Sequence, residues 1–500
     1  MRKILFSVLA LFLCVQSASA AVWPAKKPKV VVVIVIDQFR ADYLSRFQSQ
    51  FSANGFRALM NNGAYFPYGE YDILQSMTGP GHATILTGSY PYQAGIPIND
   101  WYDQKTRGTV YCVEDPNFKT VGAPGKPNIG TSPKNLVGTT VGDEMKNAGF
   151  EGRVVSLALK DRAAILMGGH RADLAMWFDS GAKKWVSSEY YLKDGKVPAW
   201  MGNLNAGFEG KVCDLATPCG TARTAEAFQA LFNEYKIGQG KGTDLIAVSF
   251  SSHDYAGHKH GANSTELEQM TLSEDKAIAE TRAFLQKRVP GGLANVTFVL
   301  TGDHGVSPSP DYLAKTGIAT GRINEDELVS ELEDGLVKKF GKAKNAKWIT
   351  SVHDFNFYLD VEGVAAAKLE LSDVQNEVKR LLQPKEWLAQ VFTQSEWETR
   401  KLPPGQFERQ INKTFYRGRS GHVIAIQKPF YINASKNAAD HMTGYTYDRT
   451  VPILFSGFGI KNGVFGDKAE IVDIAPTLSF LVGVIPPALS EGKVLVKALK

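Results

Sequence analysis

The feature that most constrains this chain is an unbroken β-branched run, Lys-Val-Val-Val-Val-Ile-Val-Ile, at 29–36. Val and Ile are restricted at χ1 in a helix and suit a pleated strand. A strand that is apolar at every position, with no polar alternation, must be covered on both faces. Shorter apolar runs recur at 154–158, 245–250, 296–300, 423–426 and 451–455. Between them lie helical patterns at about 138–148, 222–236, 265–288 and 472–482. Strands alternating with helices predict an α/β fold, a doubly wound α/β/α sandwich around a mostly parallel sheet.

Two stretches break this rhythm. One, at about 306–420, carries charged helices at 324–339 and 372–382 and a Pro-Pro-Gly loop at 403–405. The other, at about 170–220, is rich in Trp, Lys and Gly. Both are expected to be capping insertions in one catalytic unit spanning 21–500. Residues 1–20 are set apart. Arg2 and Lys3 precede an apolar run at 4–15, and Ser17-Ala18-Ser19-Ala20 ends in an A-x-A pattern. This predicts a cleaved signal for export to the periplasm or beyond, with a mature chain starting at Ala21. No later segment is apolar enough to span a membrane.

In an oxidising compartment Cys213 and Cys219 are the expected disulfide, because the loop is short and carries Pro218 and Gly220; Cys112 is left over. There is no Cys-x-x-Cys pair, which argues against a zinc–thiolate site. The chain has 56 Lys and Arg against 51 Asp and Glu, with two of the basic residues in the first three positions. No basic block marks a nucleic-acid partner, so a small anion is the expected ligand.

Three strand ends carry metal-ligand chemistry. The first runs straight into Asp37, a later one leads to Asp254-x-x-x-His258, and another to Asp303-His304. In open α/β sheets, ligands bind beyond the carboxyl ends of the strands, so these residues are expected to meet at one edge. Asp254 and His258 lie four apart, and one helical turn would aim both at one ion. Carboxylates and neutral imidazoles suit zinc and similar divalent ions. His441, in Asp440-His-Met-Thr-Gly just before the 451–455 strand, is a further candidate, with His422 as its rival. His253, His260 and His353 are read as surface or supporting residues.

A nucleophile candidate stands at 78. Thr78-Gly-Pro-Gly-His is a tight turn feeding a helix, which puts the hydroxyl at a helix N-terminus where backbone N–H groups and the dipole favour an anion. A hydroxyl near a metal loses its proton more easily and becomes a usable nucleophile. Ser76 is the rival hydroxyl. Lys160-Asp-Arg162 follows the 154–158 strand, so two cations are expected at the same edge as the metal ligands.

The order Asp37, Thr78-Gly-x-Gly-His, Asn99, Lys160-x-Arg162, Asp254-x-x-x-His258, Asp303-His304-Gly305 and His441 resembles the alkaline phosphatase superfamily, most closely its PafA-type bacterial periplasmic phosphomonoesterases. Val472-Asp-Ile-Ala-Pro-Thr477 and Glu491-Gly-Lys-Val-Leu495 resemble that family's closing elements. The resemblance implies an alkaline-phosphatase-like fold, a two-zinc site and small phosphate monoesters as substrates. Asp37, Thr78, Asp303 and His304 would hold one ion, and Asp254, His258 and His441 the other. Thr78 would form a phosphothreonine, with Asn99 donating to a phosphoryl oxygen and Lys160 and Arg162 meeting the extra charged oxygen of a monoester. The alternative it leaves is a phosphodiesterase or nucleotide pyrophosphatase with the same metals. Pro80 departs from the usual turn but is compatible with a helix start. The turn lacks the Cys/Ser-x-Pro-x-Arg context of sulfatases. Calcium beside the zinc is left open and not predicted, the acidic stretch Glu325 to Glu333 reading as a solvated helix face; the oligomeric state is left open, with a monomer slightly favoured.

Overall fold

The computed structural model describes residues 26–123, 130–434 and 436–500. The export-signal reading of 1–20 lies outside them.

The β-branched run forms the strand Val30–Ile36, every residue of it buried. It sits in the middle of an 11-stranded mixed sheet. It pairs in parallel with Val296–Gly302 on one side and Asp244–Phe250 on the other. Val154–Ala158 and then Leu174–Asp179 extend the parallel set. Thr450–Gly457 runs antiparallel to Val296–Gly302 and joins the sheet to Gly63–Glu70. The two faces feed two separate cores. Val30, Val32, Ile34 and Ile36 pack with Phe228, Leu231 and Ile278 of the helices Pro218–Glu234 and Thr265–Arg288. Val31, Val33 and Val35 pack with Ile85, Met145 and Leu478 of the helices Thr78–Thr87, Val141–Asn147 and Ile474–Val482. Helices on both faces of the sheet make the expected α/β sandwich.

The strand register decides where the polar residues emerge. Ile36 lies opposite Gly302 on one flank and Phe250 on the other. Three parallel strands therefore end level, and the residues that leave them come out at one edge.

One strand assignment changes. Val423–Gln427 does not join the main sheet. It pairs antiparallel with Asn356–Leu359 and Leu388–Thr393 in a separate four-stranded sheet that also contains Ile349–His353. An apolar run reports burial on two faces and not which sheet supplies it: Val423 and Ala425 face the core built on Leu332, Trp348 and Val378, while Ile424 and Ile426 face Phe392 and Phe407. Within 170–220, the stretch expected to be an insertion, Leu174–Asp179 and Lys184–Ser188 are strands of the main sheet. Cys213 and Cys219 are joined, and Cys112 is free and buried. No helix among the described residues is long and apolar enough to cross a membrane.

Candidate active site

The level strand ends bring the expected residues together. Asp37 follows Ile36 directly, Asp303 follows Gly302, and Asp254 sits in the first turn of the helix Ser252–His260 that leaves Phe250. That helix carries His258 one turn on, and His258 Nε2 stands 3.1 Å from Asp254 Oδ1. Asp254, His258 and His441 form one group able to hold a metal ion, and Asp37, Asp254 and His304 form another, with ligand-capable atoms within 4.8 Å of one another in each. Asp254 thus belongs to both groups. Asp303 stands beside the second, its Oδ2 at 3.4 Å from His304 Nε2.

The three imidazoles are oriented alike. The Nδ1–H groups of His258, His304 and His441 donate to the carbonyls of Ala439, Gly305 and Ser76 at 3.0, 2.8 and 2.7 Å. Each ring thereby turns Nε2 to the site, the arrangement that fixes a metal-ligating tautomer. Burial, with the His304 and His258 rings adding to it, holds His441 well below the usual imidazole range, and burial lowers His304. Both are therefore neutral, with a lone pair to offer. Burial opposes a charge on His258 as well, but the Asp254 carboxylate overrides it and pushes the ring up to about 9. Burial alone would raise Asp254, yet His258 and Lys160 hold it well below the carboxylate range. Asp37 is pushed up by burial and by the charge of Asp303. Asp37 Oδ1, Asp303 Oδ2 and His304 Nε2 are buried and make no hydrogen bond among the described residues. Buried polar atoms left so are costly. Carboxylate and imidazole atoms converging in this way fit a divalent metal cation.

Thr78 is the first residue of the helix Thr78–Thr87, and its side chain is buried. Lys160 Nζ and Arg162 Nη2 both donate to Thr78 Oγ1 at 3.3 Å. Lys160 also bridges the acid groups, with Nζ at 2.7 Å from Asp37 Oδ2 and 2.6 Å from Asp254 Oδ2. Burial would neutralise this lysine, but Asp254 and Asp37 raise it, so it stays charged. Arg162 is braced by Tyr111, whose hydroxyl accepts from Nη1 at 3.3 Å and donates to Asp161 at 2.5 Å. The glycines of the turn answer to space. A Cβ on Gly81 would come within 2.2 Å of the Asp303 carbonyl oxygen, and one on Gly79 within 2.8 Å of Asn99 Oδ1. That Asn99 oxygen accepts the Gly79 N–H at 2.8 Å, which sets the amide with its NH2 as the remaining donor.

Ser76, the rival hydroxyl, has another place. Its carbonyl receives His441 Nδ1–H and, at 3.1 Å, the Met442 N–H, so its backbone holds the loop that delivers a histidine. His422, the rival histidine, accepts the Leu359 N–H at 2.8 Å in the separate sheet. His82, in the Thr78 helix, supports Asp303 at 3.1 Å and reaches Ser249.

Thr78, Asn99, Lys160, Arg162, Asp254, His258 and His441 line one cleft of about 330 Å³. Sequence reasoning misses several of its neighbours. Gln38, in the left-handed conformation at φ 68°, donates its backbone N–H to Asp303 and its side-chain NH2 to Asp254 at 3.0 and 2.8 Å. Asp354, Asn433, Asp440 and Met442 line the same cleft. Burial, with the charges of Glu325 and Asp440, pushes the Asp354 carboxyl up to about 8. No motif marks these residues themselves; Gln38 lies next to Asp37, and Asp440 and Met442 flank His441, while Asp354 and Asn433 lie near no signal.

Known proteins share both the sequence pattern and the fold. The pattern of the type I phosphodiesterase / nucleotide pyrophosphatase family matches residues 31–447. Alkaline phosphatase PafA of Elizabethkingia meningoseptica is 32% identical over 527 residues, covering 95% of each chain. A Myroides odoratus protein named a calcium-transporting ATPase is 31% identical over 532 residues, again covering 95% of each. The crystal structure of wild-type alkaline phosphatase PafA superposes with a TM-score of 0.88 at 30% identity, covering 95% of this chain and 100% of that one.

Proposed function

The chain belongs to the alkaline-phosphatase/phosphodiesterase superfamily, on its PafA-type branch, and from that premise we propose that it is a zinc-dependent phosphomonoesterase working through Thr78. Membership makes it a metal-dependent hydrolase of phosphatase type. The finer reading concerns which ester it cleaves and how.

The observation that carries the reading is the pair of cations on one hydroxyl. Lys160 Nζ and Arg162 Nη2 each stand 3.3 Å from Thr78 Oγ1. A phosphoryl group bonded to that oxygen would meet both. Two cations suit a monoester dianion, which has one more charged oxygen than a diester. The family description favours the second reading, a phosphodiesterase or nucleotide pyrophosphatase. The cation pair weighs against it, because a diester presents a carbon-bearing oxygen there.

In this reading Asp254, His258 and His441 would hold one zinc ion, and Asp37, Asp303, His304 and the Thr78 hydroxyl would hold the other. Bound zinc would supply Lewis acidity, lowering the pKa of the nucleophile and stabilising charge on the leaving oxygen. Thr78 Oγ1 gives up its proton and attacks phosphorus, the ester P–O bond breaks, and the departing alkoxide takes up a proton to leave as the alcohol. Water then attacks the phosphothreonine from the opposite side, its O–H bond and the P–Oγ1 bond breaking, so that inorganic phosphate is released and a proton returns to Thr78 Oγ1. Asn99 donates its NH2 to one phosphoryl oxygen, and Lys160 and Arg162 hold the others. The joined Cys213 and Cys219 support an oxidising compartment, in keeping with cleavage after Ala20 and export; a mature N-terminus at Ala21 is the mass-spectrometric check.

The test is turnover of a chromogenic phosphate monoester beside its methyl diester, before and after chelation and with zinc, magnesium or calcium returned singly. The expected result is monoester preference, loss on chelation and recovery with zinc. Diester preference, or activity that survives exhaustive chelation, would overturn the proposal.

A further inference from the structure

The cleft is chemically mixed. Thr78, Asn99, Lys160 and Arg162 offer donors to a phosphoryl group. Asp354 and Asn433 line it as well, from the turn between Ile349–His353 and Asn356–Leu359 and from the end of the strand Tyr431–Asn433. A carboxyl group is not needed to hold a phosphate dianion that already meets Asn99, Lys160 and Arg162, which leaves Asp354 for the organic part of the ester.

The Asp354 turn is held there against its own conformational preference. Asp354 and Phe355 have φ of 51° and 59°, the left-handed region that a bulky residue such as Phe rarely adopts. Two successive residues of this kind make the tight turn that matches a hairpin's twist. Strain of this sort persists only where the surroundings over-determine it, and here they do. Gln75, three residues before Thr78, donates to the Asp354 carbonyl at 2.8 Å and accepts from Asn356 Nδ2 at 3.0 Å. Glu325 accepts the Phe355 N–H at 2.6 Å with one oxygen and Asn433 Nδ2 at 2.9 Å with the other. The turn is thus tied to the nucleophile segment on one side and to Asn433 on the other. The Asp354 carboxyl itself makes no hydrogen bond among the described residues, while its side of the turn opens on the cleft.

We propose that Asp354 is a specificity-determining residue that accepts hydrogen bonds from the leaving alcohol, so that the enzyme favours phosphate esters whose alcohol carries donor groups, above all hydroxyls, as polyols and sugars do. This rests on the monoesterase reading above. In either protonation state the carboxyl retains a carbonyl oxygen that accepts. A site that hydrogen-bonds a substrate hydroxyl discriminates against the analogue lacking it, because its own polar group is then left unpaired.

The experiment compares three phosphate monoesters on the zinc-loaded enzyme: glycerol 3-phosphate, O-phosphoethanolamine and propyl phosphate. Asp354→Gly removes the acceptor and suits the positive φ, and Asp354→Asn keeps an acceptor oxygen while tolerating the same backbone. In wild type, kcat/KM is expected to be higher for the glycerol ester than for the propyl ester. In Asp354→Gly that ratio is expected to fall by about twofold to tenfold, the worth of one hydrogen bond that does not depend on charge. Asp354→Asn is expected to recover most of the glycerol preference. Recovery of the glycerol preference in Asp354→Asn supports the donor contact; a preference as low in Asp354→Asn as in Asp354→Gly contradicts it. A glycerol-to-propyl ratio equal in wild type and Asp354→Gly overturns the inference while leaving the monoesterase reading intact. Absence of phosphate release from all three esters in wild type counts instead against the monoesterase reading.

Discussion

Removing Lys160 and Arg162 together, as the double alanine variant, should lower monoester hydrolysis far more than diester hydrolysis. Two effects have to be separated. Lys160 lies within 2.7 Å of both Asp37 and Asp254, so its loss disturbs the metal-facing carboxylates whatever substrate is bound. That part slows both reactions and cancels in their ratio. The second effect is specific. Each cation stands 3.3 Å from the oxygen that would carry the phosphoryl group, and only a monoester has the additional charged oxygen to meet the pair. A hydrogen bond to a charged group contributes about 1.5–3 kcal/mol, so two of them at the lower end total about 3 kcal/mol. At about 1.4 kcal/mol per decade, the monoester-to-diester ratio of kcat/KM should fall by roughly two orders of magnitude. The assay is initial-rate kinetics with 4-nitrophenyl phosphate and its methyl diester on purified, zinc-loaded protein. Arg162→Lys should retain part of the preference, because a point charge survives where the forked donor is lost. A double variant that slows both substrates by the same factor would refute the reasoning, since the cations would then serve only the metal-facing carboxylates.

The same geometry fixes other outcomes. Thr78→Ala should remove nearly all turnover and Thr78→Ser should keep a substantial part, whereas Ser76→Ala should be mild because Ser76 works through its carbonyl; kinetics on the three variants decide it. Gly81→Ala should lower zinc affinity, measured by calorimetric titration, because the added methyl would displace the Asp303 backbone it meets at 2.2 Å. His422 gives a pH test away from the metals. Burial holds its ring down to about 4, against about 6.5 in the unfolded chain, so the unfolded state binds more protons between these values. Stability should therefore fall as pH drops from 6.5 towards 4, by up to about 1.4 kcal/mol per unit from this residue, and denaturant titrations of His422→Asn should show that part of the slope gone.

Legibility in the sequence tracks the range of the interactions involved. The runs at 29–36, 245–250 and 296–300 announce strands buried on both faces because that condition is written in consecutive residues, and the strands Val30–Ile36, Asp244–Phe250 and Val296–Gly302 follow them. The same signal misplaces Val423–Gln427, because two-sided burial is available in the smaller sheet as well. Gly63–Glu70 escapes notice because Pro67 and Gly69 interrupt it, though it is a main-sheet strand. In the site, most metal-facing residues are legible because they follow a recognisable strand, while His441 stands in a loop just ahead of one. Gln38, Gln75 and Asp354 are not legible. Gln38 reaches Asp303 across 265 residues and Gln75 reaches Asn356 across 281, and no local pattern encodes such a meeting.

The chemistry is nevertheless tied to the core in a way the sequence does express. Side chains alternate along a strand with a period of two, so a slip of one residue reverses every face. In Val30–Ile36 both faces are apolar, and such a slip would cost little in hydrophobic contact. The polar ends supply the missing constraint. Level pairing of Ile36 with Gly302 and Phe250 puts Asp37 beside Asp303 and one strand away from the helix of Asp254. Displaced by one position, each carboxylate would move by about 3.3 Å along its strand, more than the span of one metal–ligand bond. Gln38 secures the level register by bonding to Asp303 through its backbone and to Asp254 through its side chain. The strand that is least able to set its own register is thus fixed by the residues that do the chemistry.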